Sequence, residues 1–173
     1  GGCQPPVLTD DPEDAAVCEG SGVTFSAGAI GTEPLSYQWL HNGAVIRGAT
    51  NPTLNIYFAD VTIAGGYVVV VTNPCGEVVS DVAVLSVLQG PEITGSPVGG
   101  EFCTGDEHTM FVGAVGTGDL SFQWFKDGVE LTGATDFILD LSDLSLADSG
   151  SYSVEVTDDC GTTSSGEALV SVS

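Results

Sequence analysis

Hydrophobic and polar residues alternate along this chain in short runs separated by Gly, Asn, Asp and Pro, with no sustained helix-face periodicity. Val23-Thr24-Phe25-Ser26-Ala27 predicts one strand, Leu35 to Leu40 a second, and Ala44-Val45-Ile46 a third. Leu54-Asn55-Ile56, Tyr67 to Thr72 and Val79 to Val87 predict three more. The central strand is the one containing Ser36-Tyr37-Gln38-Trp39, where a large indole sits among alternating polar residues and so marks a strand with one buried face. Asn42-Gly43 follows it. The two central positions of a tight hairpin loop need positive φ, which Asn and Gly adopt at little cost, so the chain doubles back there. The pattern predicts an all-β fold.

Sliding the sequence against itself by 85 residues, without a gap, aligns Cys18 with Cys103, Trp39 with Trp124, Gly65 with Gly150, Tyr67 with Tyr152 and Cys75 with Cys160. From Cys18 to Leu88, 27 of 71 positions match their copies, which is too many for chance and marks a tandem repeat. The second copy of the Trp stretch is Ser121-Phe122-Gln123-Trp124, followed by Asp127-Gly128. Gln4 and Pro6 align with Gln89 and Pro91, so the seam falls at Gln89-Gly90-Pro91. The expected domains are 1–89 and 90–173, joined with little slack.

Charge narrows the possible partners. Twenty-four acidic residues stand against two basic ones, a formal net charge of -22. Nucleic acid and anionic membrane surfaces are bound through Lys and Arg, so neither is expected as a partner. With 42% hydrophobic residues the chain still has the apolar material to fold, and the acidity is a coat on a folded body. No run of 18 apolar residues occurs, so no bilayer insertion is expected. The first residues, Gly1-Gly2-Cys3-Gln4-Pro5-Pro6, carry no basic-then-apolar signal, and both ends read as mid-protein. Five cysteines, four at matching positions in the repeats, predict disulfides and an oxidising, extracellular or cell-surface setting.

The order Trp39, Leu54-x-Ile56, Gly65-x-Tyr67, and in the second repeat Leu139-x-Leu141, Leu144 and Asp148-x-Gly150-x-Tyr152, resembles the immunoglobulin-like sandwich of the intermediate set, over essentially the whole chain. The resemblance implies two antiparallel β-sandwich domains in tandem. It also implies a corner Tyr whose hydroxyl bonds back to the backbone. The family's two core cysteines would fall at Val69 and Ala27, and at Val154 and Val112, so apolar packing replaces the inter-sheet disulfide. The cysteines lie instead at Cys18, Cys75, Cys103 and Cys160, and the pairs expected are Cys18–Cys75 and Cys103–Cys160, one staple per unit. These displaced cysteines, with Gly48-Ala49-Thr50 and Gly133-Ala134-Thr135 after the return strand, resemble the repeats of large bacterial surface and secreted proteins more than those of animal receptors. Cys3 aligns with Leu88 at the seam. A partner in a preceding segment, a free thiol, a second copy of the chain and an acylated lipoprotein terminus all stay open for it.

Catalytic chemistry has little support. His41, beside a turn, and His108, near a strand start, occupy different places in their units and read as solvated loop or edge residues. No Ser sits in a Gly-x-Ser-x-Gly elbow, and no Cys-x-x-Cys pair suggests zinc. Calcium is the one cofactor worth weighing, because Asp10-Asp11-Pro12-Glu13-Asp14 and Asp158-Asp159 gather carboxylates on loops. Their spacing matches no EF-hand or cadherin-type motif, so solvated charge is the expectation and no cofactor is assigned. Asn51-Pro52-Thr53 is barred from glycosylation by its Pro, and Lys126, beside the Asp127-Gly128 turn, is expected to be exposed.

Where the copies differ, the fold does not dictate the residue. Val68 and Val70 should point outward from the penultimate strand, and their copies are Ser153 and Glu155. Val82 answers to Glu167, and Val78 and Val79 to Thr163 and Ser164. Tyr57 and Phe58 answer to Ser142 and Asp143. Nine carboxylates lie up to Gln89 and fourteen from Glu101 on. An apolar face on an otherwise acidic protein is normally covered, here by protein: other copies or adjoining domains. The expectation is a non-enzymatic structural or adhesive segment of an extracellular bacterial protein, self-assembling head to tail into a surface filament in its most specific form. The alternative is a carbohydrate- or ligand-binding module using Tyr57, Phe58, Phe125 and Phe137.

Overall fold

The computed structural model describes residues 1–173 as two units, Gly1–Leu88 and Gln89–Ser173. The division falls one residue ahead of the expected seam, so Gln89 goes with the second unit.

In the first unit the strands are β1 (Val7–Asp10), β2 (Ala15–Cys18), β3 (Val23–Ser26), β4 (Gly28–Ile30), β5 (Ser36–His41), β6 (Ala44–Val45), β7 (Thr53–Ile56), β8 (Gly65–Asn73), β9 (Gly76–Val79) and β10 (Ala83–Leu88). The larger sheet runs β2-β10-β8-β5-β6, with β9 also on β8. The facing layer is made of β1 with β4 and β3 with β7. The second unit repeats this as β11 (Glu92–Gly95), β12 (Gly100–Phe102), β13 (His108–Phe111), β14 (Gly113–Val115), β15 (Ser121–Lys126), β16 (Val129–Glu130), β17 (Ile138–Leu141), β18 (Gly150–Asp158), β19 (Gly161–Ser164) and β20 (Ala168–Val172), paired in the same order. Short 3-10 turns, Val61–Ile63 and Leu146–Asp148, precede the two long strands.

Alternation buries what the pattern marks. Trp39, Val69, Val71 and Leu85 come from one layer and Phe25, Ala27, Leu54 and Ile56 from the other, meeting in a single core. Met110, Val112, Trp124, Val154, Val156 and Val170 do the same in the second unit. Ala27, Val69, Val112 and Val154 are all buried, so the family's cysteine positions are filled by apolar contact. Each indole satisfies its one donor inside the core, Trp39 Nε1 to Asn51 O and Trp124 Nε1 to Asp136 O, both at 2.8 Å. Tyr67 Oη donates to Ile63 O at 2.6 Å and Tyr152 Oη to Asp148 O at 2.9 Å, fixing the corner in each unit. Asn42 and Gly43 have φ of 48° and 82°, and Asp127 and Gly128 of 50° and 76°, the doubly positive φ of a type I′ hairpin.

Two departures from the sequence pattern bear on the surface. The strand expected over Val79–Val87 is broken at Ser80. This buried side chain accepts the Val69 N–H at 2.9 Å and donates to Asp81 O, letting the chain step off β8 before returning as β10. Ser165 does the same for Val154. The leading strands β1 and β2 were also absent from the pattern, because Ala15-Ala16-Val17-Cys18 has no alternation. They exist because β2 crosses to the other layer and pairs in parallel with β10, Ala15 to Cys18 lying opposite Leu85 to Leu88.

Candidate functional site

The surface that distinguishes the units is the outer face of the larger sheet. In the first unit the register places Leu40 between Val45 and Val68, and Val70 between Gln38 and Val79. Paired residues share a face, so these side chains lie side by side. Val82 stands over Gly66, with which Val84 is paired, and closes the edge of the patch. Val68 and Val70 are half-buried by their neighbours, while Val79 and Val82 are 53% and 59% exposed. The same positions in the second unit hold Gln123, Phe125, Glu130, Ser153, Glu155, Ser164 and Glu167, so three carboxylates and two hydroxyls interrupt the patch.

Three of the expected contact residues lie off this sheet face. Val78 is paired with core residue Val71 and packs inward, because facing on a two-strand hairpin is set by the partner. Tyr57 and Phe58, 75% and 81% exposed, follow β7 on a loop tied to the β2–β3 turn through Ala59 N–H to Ser21 O and Gly20 N–H to Ala59 O. They form a separate aromatic tip.

The cysteines depart further from expectation. Cys75 is bonded to Cys3, with Cα atoms 5.6 Å apart, and not to Cys18. Cys18 lies opposite Leu88, at the trailing end of the unit where β8 begins, whereas Cys75 closes the turn at the far end of β8. Nine extended residues at about 3.3 Å each separate those ends, while a disulfide needs Cα atoms within about 7 Å. The β8–β9 turn is drawn instead onto the first residues: Asn73 Nδ2 donates to Gln4 O at 2.7 Å and Thr32 O at 2.9 Å, beside Cys3. In the second unit the expected Cys103–Cys160 pair fails on the same geometry, and Cys103 is an exposed free thiol. Cys18 and Cys160 are disulfide-bonded.

The acidic loops are engaged with the backbone. Asp11 Oδ1 accepts the Asp81 N–H at 2.8 Å and Asp14 Oδ1 the Val84 N–H at 2.7 Å, pinning the crossover into β2. Asp158 accepts the Thr117 N–H on one oxygen and those of Cys160 and Gly161 on the other. Those hydrogen bonds, Thr117's foremost, hold its carboxyl below the usual carboxylate range. The histidines are half-buried and not solvated as expected. His41 stacks on Tyr67, ring centroids 4.5 Å apart, with Nε2 2.9 Å from Ala64 O. His108 packs against Phe102, its Nε2 2.8 Å from Val98 O. Lys126 is part-covered too, donating from Nζ to Ala147 O at 2.5 Å, in the middle of the 3-10 turn Leu146–Asp148.

No family model matches the sequence. A curated human protein described as a probable oxidoreductase, PXDNL, is 28% identical over 177 residues, covering 92% of this chain and 12% of its own length. The chain thus spans about an eighth of that relative. Titin domains I67–I69 superpose with a TM-score of 0.71 at 21% identity, over 99% of this chain and 66% of theirs. The first two immunoglobulin domains of DIP-gamma give 0.66 at 16% identity over 96% and 97%, and domains 3–5 of Drosophila OTK 0.56 at 20% over 97% and 62%. These likenesses concern the fold. With the sheet order, the corner tyrosines and the core indoles, they make the chain a tandem pair of immunoglobulin-like β-sandwich domains.

Proposed function

We propose that this chain is a structural and adhesive segment of a longer extracellular bacterial protein, and that its first unit docks onto protein through the outer face of the larger sheet. The observation that carries this is the contrast between copies. One fold accepts Ser153, Glu155, Ser164 and Glu167 at these positions, so Val68, Val70, Val79 and Val82 are not needed for folding. Leaving them to water forfeits apolar burial worth roughly 25 cal/mol per Å2. The occupant is another copy of the chain. A sheet face meeting a different surface of its neighbour makes a heterologous contact, which propagates head to tail. The net charge of -22 would hold such fibres apart until salt or divalent cations screen it. The disulfide-bonded cysteines support an oxidising, extracellular setting.

Negative-stain electron microscopy of the intact chain across a range of NaCl and CaCl2 concentrations tests the filament form of this reading. Ordered fibres are expected once charge is screened, and isolated two-lobed particles under every condition would remove it. The exposed Tyr57 and Phe58 favour one second reading, a glycan-binding tip. Replacing both by Ser should leave retention on immobilised polysaccharides unchanged if the sheet face is the contact, and abolish it if the tip is.

A further inference from the structure

The two repeats are alike around the cysteine at the trailing end of each unit, down to individual backbone hydrogen bonds. In the first, Glu19 N–H donates to Leu88 O, Gly20 N–H to Ala59 O and Ser21 N–H to Cys18 O, at 2.8, 2.7 and 3.0 Å. In the second, the bonds 85 residues on are Thr104 to Ser173, Gly105 to Leu144 and Asp106 to Cys103, at 3.1, 2.7 and 3.1 Å. Cys18 and Cys103 therefore occupy the same place, beside the strand on which the chain leaves the unit, yet Cys18 is disulfide-bonded and Cys103 is an exposed free thiol. At the opposite end of each unit, the turn after the long strand carries a cysteine held by its own Asx contact, Cys75 N–H to Asn73 Oδ1 and Cys160 N–H to Asp158 Oδ1, and both of these are bonded. In the second unit that turn lies against Gly90, the residue on which the chain comes in.

We propose that Cys103 is an attachment site for a following repeat of the same kind, forming a disulfide with the cysteine of that repeat's leading-end turn. Three observations meet here: its structural twin is bonded, its sulfur is accessible, and the turn cysteine sits where a unit receives incoming chain. The inference rests on the reading of the chain as part of a longer array, and is independent of the sheet face. The Cys103 thiolate attacks one sulfur of a disulfide-bearing oxidant of the glutathione class, releasing one thiol. The turn cysteine's thiolate then displaces the second, so two protons and two electrons leave the protein pair and the oxidant ends as two thiols. Each link would fix one unit on the next and make the array resistant to pulling and proteolysis.

The test is disulfide mapping by mass spectrometry of the intact chain extended by a second copy of residues 90–173, folded in a glutathione redox buffer. The expected result is that the free thiol moves on by one repeat: Cys103 is protected from iodoacetamide and linked to the appended turn cysteine, and the appended copy of Cys103 is alkylated instead. Cys103→Ser in the extended chain should raise the free thiols from one to two, by releasing the turn cysteine. Alkylated Cys103 in the extended monomer, or Cys103 linked between two chains, would overturn the proposal. Should the appended unit misfold, the same map of the protein isolated from its source decides, and an alkylated Cys103 there overturns it equally.

Discussion

Removing the Cys3–Cys75 bridge is the sharpest way to ask what holds the first unit together. The bond closes a loop of 72 residues, and chain-entropy reasoning gives a loss of about 4 kcal/mol on opening a loop of that length. For a unit of 88 residues, each kcal/mol moves the midpoint by about 4–8 °C, so Cys3→Ser with Cys75→Ser should lower the first unit's Tm by roughly 15–30 °C. The double substitution avoids a stray thiol that would exchange with the other cysteines. Trp39 and Trp124 are both fully buried, so placing Trp124→Phe in each protein leaves Trp39 fluorescence as the reporter of the first unit. Guanidinium titration then reads the free-energy change. A loss below about 1 kcal/mol would refute the reasoning, since the contacts of Asn73 with Gln4 and Thr32 would then hold the leading strand without the bond.

Tyr67→Phe removes the hydroxyl that satisfies Ile63 O and should cost the first unit about 1–3 kcal/mol in urea, and Tyr152→Phe the same in the second; an unchanged midpoint would mean water replaces the bond freely. Asp158 makes the second unit acid-sensitive. Its carboxyl titrates below the usual value in the folded state, so the stability it contributes is full above about pH 4 and is lost as pH falls through that lower folded value. Asp158→Asn should flatten that part of the pH dependence and weaken the second unit at pH 7, because an amide cannot accept on both sides; thermal melts at pH 7 and below pH 4 check both effects.

Much of this fold can be read from single residues. Trp39 and Trp124 mark the central strands because an indole among alternating polar residues has only one place to go. Asn42-Gly43 and Asp127-Gly128 mark the hairpins because Asn, Asp and Gly take the positive φ required at little cost. The corner tyrosines are implied by the resemblance of Asp148-x-Gly150-x-Tyr152 to the immunoglobulin-like family. What escapes such reading is contact between distant segments. Cys18 and Cys75 look like a natural pair because both recur in the repeat, but alignment says nothing of which end of β8 each one occupies. Cys3 has no copy at all, since its counterpart is Leu88, and only the folding of the β8–β9 turn onto Gln4 reveals its partner. Val78 shows the same limit: it and Val79 are neighbours on one strand and so face opposite ways, and only the pairing of Val78 with core residue Val71 shows which of the two turns inward. The hydrophobic sheet face itself was legible, because comparing the two copies cancels whatever the fold alone demands.

The central claim, that the first unit's sheet face is a contact surface, is tested most directly by sedimentation equilibrium of the intact chain against a variant carrying the second unit's residues, Val68→Ser, Val70→Glu and Val82→Glu. With salt sufficient to screen the charge, the account predicts concentration-dependent association of the unaltered chain and a monomeric variant whose melting is little changed. Equal association of the two proteins, or monomers throughout, would contradict it.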